Sequence, residues 1–284
     1  MKLSFLILNY KSRGLLRQCL KYLRAANIKV PHEIIVIDNG SADGSVEMVQ
    51  REFPEAKLLP QEKNLGYAAA NNIGLEVATG DYILLLNADV LTLDNSVEEM
   101  IAYMEQNQDI ALLGPRLLNP DRTPQISCFR YYQWYTPILR RTPIGKTGYG
   151  RNELDYIFMK DKNLDEIQDV DWLLGGAIMI RRSALETIGL LDTRYFLYFE
   201  DMDWCRATHT AGLRVVYYPR ASFIHFHGRG SDALPWFLGP LSKLSRIHIA
   251  SAIKYFSKWR ALESGKDSKE SVIMISNEKL PLDS

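Results

Sequence analysis

Apolar runs alternate with amphipathic stretches through the first 114 residues. Residues 3–8 are nearly all apolar and read as a buried strand; residues 33–38 form a second such run that ends on a carboxylate, Asp38. Residues 57–59, 82–86 and 110–113 supply three more. Helical periodicity fills the gaps: 12–25 with Ser12 as N-cap, 43–51 capped by Asp43, a small-residue helix over 67–78 stopped by Gly80, and 94–106 capped by Asp94. Strands apolar on both faces, alternating with helices, predict a mostly parallel sheet covered on both sides. In such sheets ligands bind beyond the carboxyl ends of the strands. Three of those ends are polar: Asn9-Tyr10, Asp38-Asn39 and Asn87-Ala88-Asp89.

Periodicity weakens over 115–169, a stretch rich in Pro, Arg and aromatic residues that reads as an irregular excursion over the acceptor side. Order returns with a Gly-interrupted strand at 172–180, a short helix at 183–188, a helix from Glu200-Asp201 to 210, and strands at 213–218 and 222–226. Residues 234–262 read as mostly helical and the last twenty as a frayed polar tail.

Composition narrows the class. In 284 residues, 46% hydrophobic and 24% charged is an ordinary globular balance. Lys and Arg number 34 and Asp and Glu 34, so no overall basic field for nucleic acid exists. Cys19, Cys128 and Cys205 are far apart and form no CxxC pair, which points to a reducing, cytoplasmic setting. The N-terminus lacks the long apolar core of a secretory signal, and no stretch reaches the roughly 20 apolar residues of a membrane span.

The dinucleotide fingerprint, the P-loop, the nucleophile elbow and HExxH are absent. What remains is a set of carboxylates and two histidines at strand ends. Asp38 leads a strand-to-helix turn, Asn39-Gly40-Ser41-Ala42-Asp43, in which Ser41 and Asp43 serve the turn. The turn does not require a carboxylate at Asp38, which also suits the N3–H of uracil or thymine. Asp89 past a central strand reads either as a loop-capping carboxylate or as an oxygen ligand for a divalent cation. Asp201 at a helix start reads as a cap or as a general base, with Glu200 its rival. His225 and His227 alternate on a strand and share a face, and either can complete a metal site with Asp89.

In this order and spacing the chain resembles the family 2 glycosyltransferases of the GT-A fold. The strings are Val36-Ile37-Asp38-Asn39-Gly40-Ser41, Asn64-Leu65-Gly66-Tyr67 through Asn71, and Leu86-Asn87-Ala88-Asp89. In the second half come Trp172-Leu173-Leu174-Gly175-Gly176, Tyr198-Phe199-Glu200-Asp201-Met202-Asp203 and His225-Phe226-His227. Within the family the pattern looks most like the rhamnosyltransferases of polysaccharide assembly.

The resemblance implies an α/β domain with a mixed sheet over 1–232, a nucleotide-binding half over 1–114 and an acceptor half over 115–232, with a helical extension and tail over 233–284. It implies that Asp38 and Asp43 meet the base and ribose, with Asn9, Tyr10 and Asn39 beside them on the rim. Lys63, Asn64, Gly66 and Asn71 would line the donor pocket. Asn87-Ala88-Asp89 would be the DxD element, with Asp89 and His225, or His227, holding Mn²⁺ or Mg²⁺. Asp201 would be the base, Gly175 and Gly176 would allow close approach of substrate, and Trp172 would be a sugar or acceptor platform. Asn87 departs from the usual first Asp, and the QxxRW signature of processive synthases is absent.

The expected activity is therefore inverting transfer of one hexosyl unit from a UDP- or dTDP-sugar to a hydroxyl of a glycan or lipid-linked acceptor. A sugar nucleotidyltransferase is the rival enzyme, but its Gly-rich phosphate loop has no match in Asn9-Tyr10-Lys11-Ser12-Arg13-Gly14. A catalytically inactive sugar-nucleotide-binding module is the rival of another class. Finally, residues 241–266 carry six basic side chains and one acidic one. Lys243, Arg246, Lys254 and Lys258 fall on one helical face, as in a helix that lies on an anionic membrane. A helix packed on its own domain, or in a homodimer, is the alternative.

Overall fold

The computed structural model describes residues 2–26, 28–93, 95–226 and 242–264. The Asp94 cap, His227 and the polar tail lie outside the described residues. The chain opens β1 (Leu3–Asn9), α1 (Arg13–Ala25), β2 (His32–Asp38), α2 (Ser45–Glu52), β3 (Lys57–Pro60), α3 (Tyr67–Val77) and β4 (Tyr82–Asn87). These four strands run parallel in the order β3-β2-β1-β4. β5 (Val90–Thr92), α4 (Ser96–Gln106) and β6 (Ile110–Leu118) follow. The excursion contains more structure than its composition suggests: β7 (Pro124–Gln125), β8 (Cys128–Phe129), α5 (Thr136–Arg141), a 3-10 turn at Pro143–Lys146, α6 (Gly148–Ile157) and β9 (Gln168–Asp169). Then come β10 (Trp172–Leu173), β11 (Ala177–Arg181), α7 (Leu185–Ile188), α8 (Glu200–Thr210), β12 (Arg214–His225) and α9 (Lys243–Glu263).

The sheet continues from β4 through β11, β6, β12 and β5, with β11 antiparallel to both its neighbours and β12 parallel to β6. It is a mixed sheet flanked by helices, the expected class. Side chains alternate across it. Phe5, Ile7, Val36 and Leu84 meet α1, α2 and α4, while Leu6, Leu8, Ile35, Ile83 and Leu85 meet α3, α8 and α9. Both faces are therefore core, which is why these strands read as unbroken apolar runs.

Four local expectations are corrected. Residues 172–180 are not one strand: β10 pairs with β8 in a separate small sheet, and β11 joins the main one after the Gly175-Gly176 turn. The strands expected at 213–218 and 222–226 are one, β12, with a register break between Tyr218 and Ser222, where Pro219 has no N–H for the ladder. Asp43 is not the N-cap of α2; Gly44 is, at φ +80°. Asp43 instead ties two helix starts together, accepting from Ser45 N and Arg13 N. Gly80 does not end α3, which stops at Val77; it lets β1 approach, since a Cβ there would sit 2.5 Å from Ser4 N.

The C-terminal helix also departs from its expected amphipathic layout. Lys258 was expected on a solvated basic face, yet its side chain is only 5% exposed. Its Nζ donates to Asp192 Oδ2 at 3.0 Å and Asp203 Oδ2 at 2.6 Å. Two buried carboxylates need a cation, and α9 supplies it. Trp259 Nε1 donates to Asp203 Oδ1 at 2.7 Å, and Lys254 Nζ to Arg194 O at 2.6 Å. The helix is thus bolted to α8 by its Lys258 face. No helix among the described residues is long and apolar enough to cross a membrane, and all three cysteines are free and buried.

Candidate active site

The end of β4 is pinned from both sides. Asn87 N donates to Gly176 O and Ala88 N to Leu8 O, both at 3.1 Å, while Asp89 O accepts from Phe226 N at 2.8 Å. β12 delivers His225 beside it, in register with Val90. His225 Nε2 stands 3.6 Å from Asp89 Oδ1.

A residue of the excursion fixes that imidazole. Gln125 Nε2 donates to His225 O and to Asn119 Oδ1, each at 2.8 Å. With its NH₂ committed to two oxygens, Gln125 turns Oε1 toward His225 Nδ1 at 3.0 Å. An acceptor there puts a proton on Nδ1, so in the neutral ring the lone pair is on Nε2, the nitrogen nearer Asp89. Two electron-pair donors at 3.6 Å are too far apart for a hydrogen bond and suited to sharing one cation. Among the described residues no group of three or more His, Cys, Asp and Glu side chains could hold a metal. The pair offers one oxygen and one nitrogen, so an ion held there would need its remaining ligands from elsewhere.

The Gly175-Gly176 turn joins this pair to the carboxylates of α8. A Cβ on Gly176 would meet His225 Cε1 at 3.5 Å, and one on Gly175 would meet Tyr67 Oη at 3.0 Å and Asp201 Oδ2 at 3.5 Å. Gly175 N donates to Asp201 Oδ2 at 3.0 Å, and Met202 N to Asp201 Oδ1 at 2.8 Å. Burial pushes the Asp201 carboxyl up to about 6, against the pull of these two N–H groups. Burial, then the charge of Asp201, holds Glu200 well above the ordinary range. Glu200 Oε2 is buried without a hydrogen-bond partner. Of the two adjacent carboxyls, Asp201 is the one poised to exchange a proton near neutrality.

Tyr67, which no role had singled out, lies between these groups. Its hydroxyl donates to Gly175 O. Burial first, then the charges of Glu200, Asp201 and Asp89, raises its own titration. Tyr198 and Phe199, just before Glu200, both have left-handed backbones, at φ +71° and +72°. The Phe199 ring, which packs against Tyr132, His248, Tyr255 and Phe256, braces that turn.

Further along the rim, the nucleotide-side residues interlock. Asp38 Oδ1 accepts from Asn9 Nδ2 at 2.7 Å and Oδ2 from Ser41 N at 3.0 Å. Asp38 is buried, with both oxygens held inside the fold. Asn39 holds the 64–66 loop through Asn64 Oδ1, Gly66 O and Leu65 N. Gly66 is required: it sits at φ +88°, and a Cβ would stand 2.5 Å from Phe196 O. Asn71 is buried, donating to Tyr67 O, and its Oδ1 has no hydrogen-bond partner. Tyr10 and Lys63 are exposed. Trp172 is not a platform. It is 5% exposed, stacks on Phe129 at 4.2 Å and donates Nε1–H to Arg130 O, so its ring belongs to the core beneath the turn.

A family model described as "Glycosyl transferase family 2" matches residues 4–189. The chain belongs to that family. The N-acetylglucosaminyl-diphospho-decaprenol L-rhamnosyltransferase of Mycobacterium tuberculosis is 27% identical over 250 residues, 81% of this chain and 78% of that protein. Rhamnosyltransferase WbbL of Escherichia coli K12 is 24% identical over 214 residues, 70% of this chain and 73% of that one. Among solved structures, GalNAc-T7 with UDP, GalNAc and Mn²⁺ superposes with a TM-score of 0.58 at 16% identity, over 80% of this chain and 44% of that chain. Staphylococcus aureus TarS 1-349 with UDP-GlcNAc gives 0.54 at 16%, over 82% and 62%. The chain thus spans less than half of the first of these structures and about three-fifths of the second. These likenesses establish the fold as GT-A-like.

Proposed function

We propose that this family 2 glycosyltransferase moves a single hexosyl unit, a rhamnosyl unit first among them, from a UDP- or dTDP-sugar to a hydroxyl of a glycan or lipid-linked glycan, with inversion, on the cytoplasmic side of cell-surface polysaccharide assembly. The observation that carries this reading is the Gly175-Gly176 turn. It holds the Asp201 carboxylate on one side, and on the other leaves room for His225, the neighbour of Asp89, which a Cβ on Gly176 would meet at 3.5 Å. A proton acceptor and a diphosphate-side pair thereby share one rigid support. The names of the relatives support the sugar class, and both structural neighbours hold a uridine nucleotide.

In this reading Asn9, Asp38, Asn39 and Asn64 form the wall for base and ribose, Tyr10 and Lys63 its open edge, and residues 1–114 the nucleotide half. Asp89 and His225 hold Mn²⁺ or Mg²⁺, which would neutralise the departing diphosphate. Asp201 takes the proton of the acceptor hydroxyl as that oxygen attacks C1 of the sugar from the face opposite the leaving group. Tyr67 and the N–H of Gly175 keep the carboxylate aimed, and neutral Glu200 adds no second negative charge beside it. Residues 115–232 form the acceptor half.

Transfer and donor binding, measured together, test this. Asp201→Asn should keep nucleotide-sugar binding and lose about 10²–10⁴-fold in transfer. Asp89→Ala should lose metal-dependent turnover. If the wild-type chain binds the nucleotide and releases none with Mn²⁺ and any acceptor, the inactive binding module is the better reading.

A further inference from the structure

Two segments far apart in sequence meet on the surface and share an unusual composition. Residues 131–152, α5 and the first half of α6, contain four Lys and Arg and no carboxylate, with Glu153 and Asp155 following later in α6; residues 242–262 contain five and none, and Glu263 ends α9. The whole chain is neutral, with 34 of each sign, so this is a strong local excess. Lys258 is neutralised internally by Asp192 and Asp203. Arg140, Lys146, Lys243 and Arg246 are exposed.

Between these cations lies apolar surface that is exposed among the described residues. Trp134 is 70% exposed, Ile253 62%, Ile144 52% and Ile138 47%. Trp134, Ile138, Ile249, Ile253 and Phe256 line one open groove between α5 and α9. Ile249 and Ile253 are one turn apart on the helix face opposite the buried Lys258. The face abuts the active site, because Tyr132 and the α9 residues His248 and Phe256 hold Phe199, the residue before Glu200.

We propose that this face docks on an anionic lipid bilayer surface, with Trp134 and the isoleucines at the headgroup level and the cations against the lipid charges. A tryptophan and branched aliphatics among Lys and Arg in excess, with Glu153 bonded to Tyr135 the nearby carboxylate, suit a negatively charged interface. The charge complementarity selects lipid over a second copy of the chain, whose matching face would carry the same sign. The surface differs from the one helical periodicity suggested: the face carrying Lys258 turns inward, and the outward one is Arg246-Ile249-Ile253. The proposal stands on surface composition and does not depend on the transfer reading.

Flotation of the full chain with liposomes tests it. Vesicles of phosphatidylcholine mixed with phosphatidylglycerol should carry the protein up at low salt. Pure phosphatidylcholine should not, nor should the mixed vesicles at high salt. Arg246→Gln with Lys146→Gln should weaken binding roughly 25-fold, about fivefold per cation, and Ile249→Ser with Ile253→Ser should abolish it. All four side chains are exposed, and an unchanged thermal midpoint confirms folding. Failure to float with the anionic vesicles, or equal flotation of both variants, overturns the proposal. So does light scattering that finds a dimer which Ile249→Ser with Ile253→Ser converts to a monomer. Nucleotide binding measured on the same samples reports on the transfer reading separately.

Discussion

Among single side chains, Gln125 shows how a residue without reactive chemistry sets up a site. Its amide reaches both the backbone O and the Nδ1 of His225, so it fixes the position of the ring and its tautomer together. Gln125→Leu removes both contacts and keeps the volume roughly constant. The expected loss in Mn²⁺ affinity of the UDP-loaded protein is about 10–100-fold, read by electron paramagnetic resonance of free Mn²⁺. Equal affinity in the variant would show that His225 is held by its strand alone. The sequence offered no signal for Gln125, which sits in the stretch with the weakest periodicity. Asp89, His225 and Asp201 were legible because each ends or begins an element that the apolar pattern marks clearly. The demotion of Trp172 was not legible. Its ring is covered by Phe129 from β8, a two-residue strand that no periodicity can reveal.

Among elements, the decisive contact is α9 against α8. Asp203 lies two residues beyond the candidate base and receives Lys258 Nζ, Trp259 Nε1 and Tyr195 Oη. Lys258→Met leaves Asp192 and Asp203 buried without that cation. Breaking a buried pair from one side costs about 3–5 kcal/mol, although Arg194 still serves Asp192 and places the expected loss toward the lower end. Urea unfolding should show it, and adding Asp203→Asn should recover part of it. A loss under about 1 kcal/mol would mean that α9 is a loosely attached extension. Elements were otherwise well marked where both faces are apolar. They were misjudged where a backbone special intervenes: the Gly175-Gly176 turn divides what reads as one strand, and β12 continues past Pro219 where the pattern reads as two. Burial of Lys258 was invisible for another reason. Helical periodicity sorts residues by type, whereas the inward face of α9 is chosen by two carboxylates on distant elements.

For the whole molecule, the buried carboxyls give stability and activity opposite dependences on pH. Glu200 is held well above its ordinary range by burial and Asp201, and Asp201 is raised to about 6 by burial. Between the unfolded values near 4 and these folded values, the native state binds protons that the unfolded chain has released. Stability therefore falls as pH rises through that window, by about 1.4 kcal/mol per pH unit for each such group. Asp43 and Asp192 pull the other way. Hydrogen bonds from Ser45 and Arg13 lower Asp43 against its burial, and Arg194 and Lys258 lower Asp192 against its own. The stability these two contribute is present above their unfolded values near 4 and is lost as pH falls through their depressed folded values. Burial lowers His248 to about 3, so between that value and its ordinary one it offsets one raised carboxyl, while burial raises Asp203 and adds to the fall; transfer, if Asp201 is the base as proposed, should rise through pH 6 and level off above it. Urea unfolding at pH 5 and at pH 7 reads the first trend, and the pH profile of kcat the second. Glu200→Gln mimics the protonated acid and should flatten part of the stability slope without moving the kinetic midpoint. A slope that persists in full in Glu200→Gln would assign the excess proton elsewhere in the core. A kinetic midpoint near 4 would mean that Asp201 is as solvated as an ordinary aspartate.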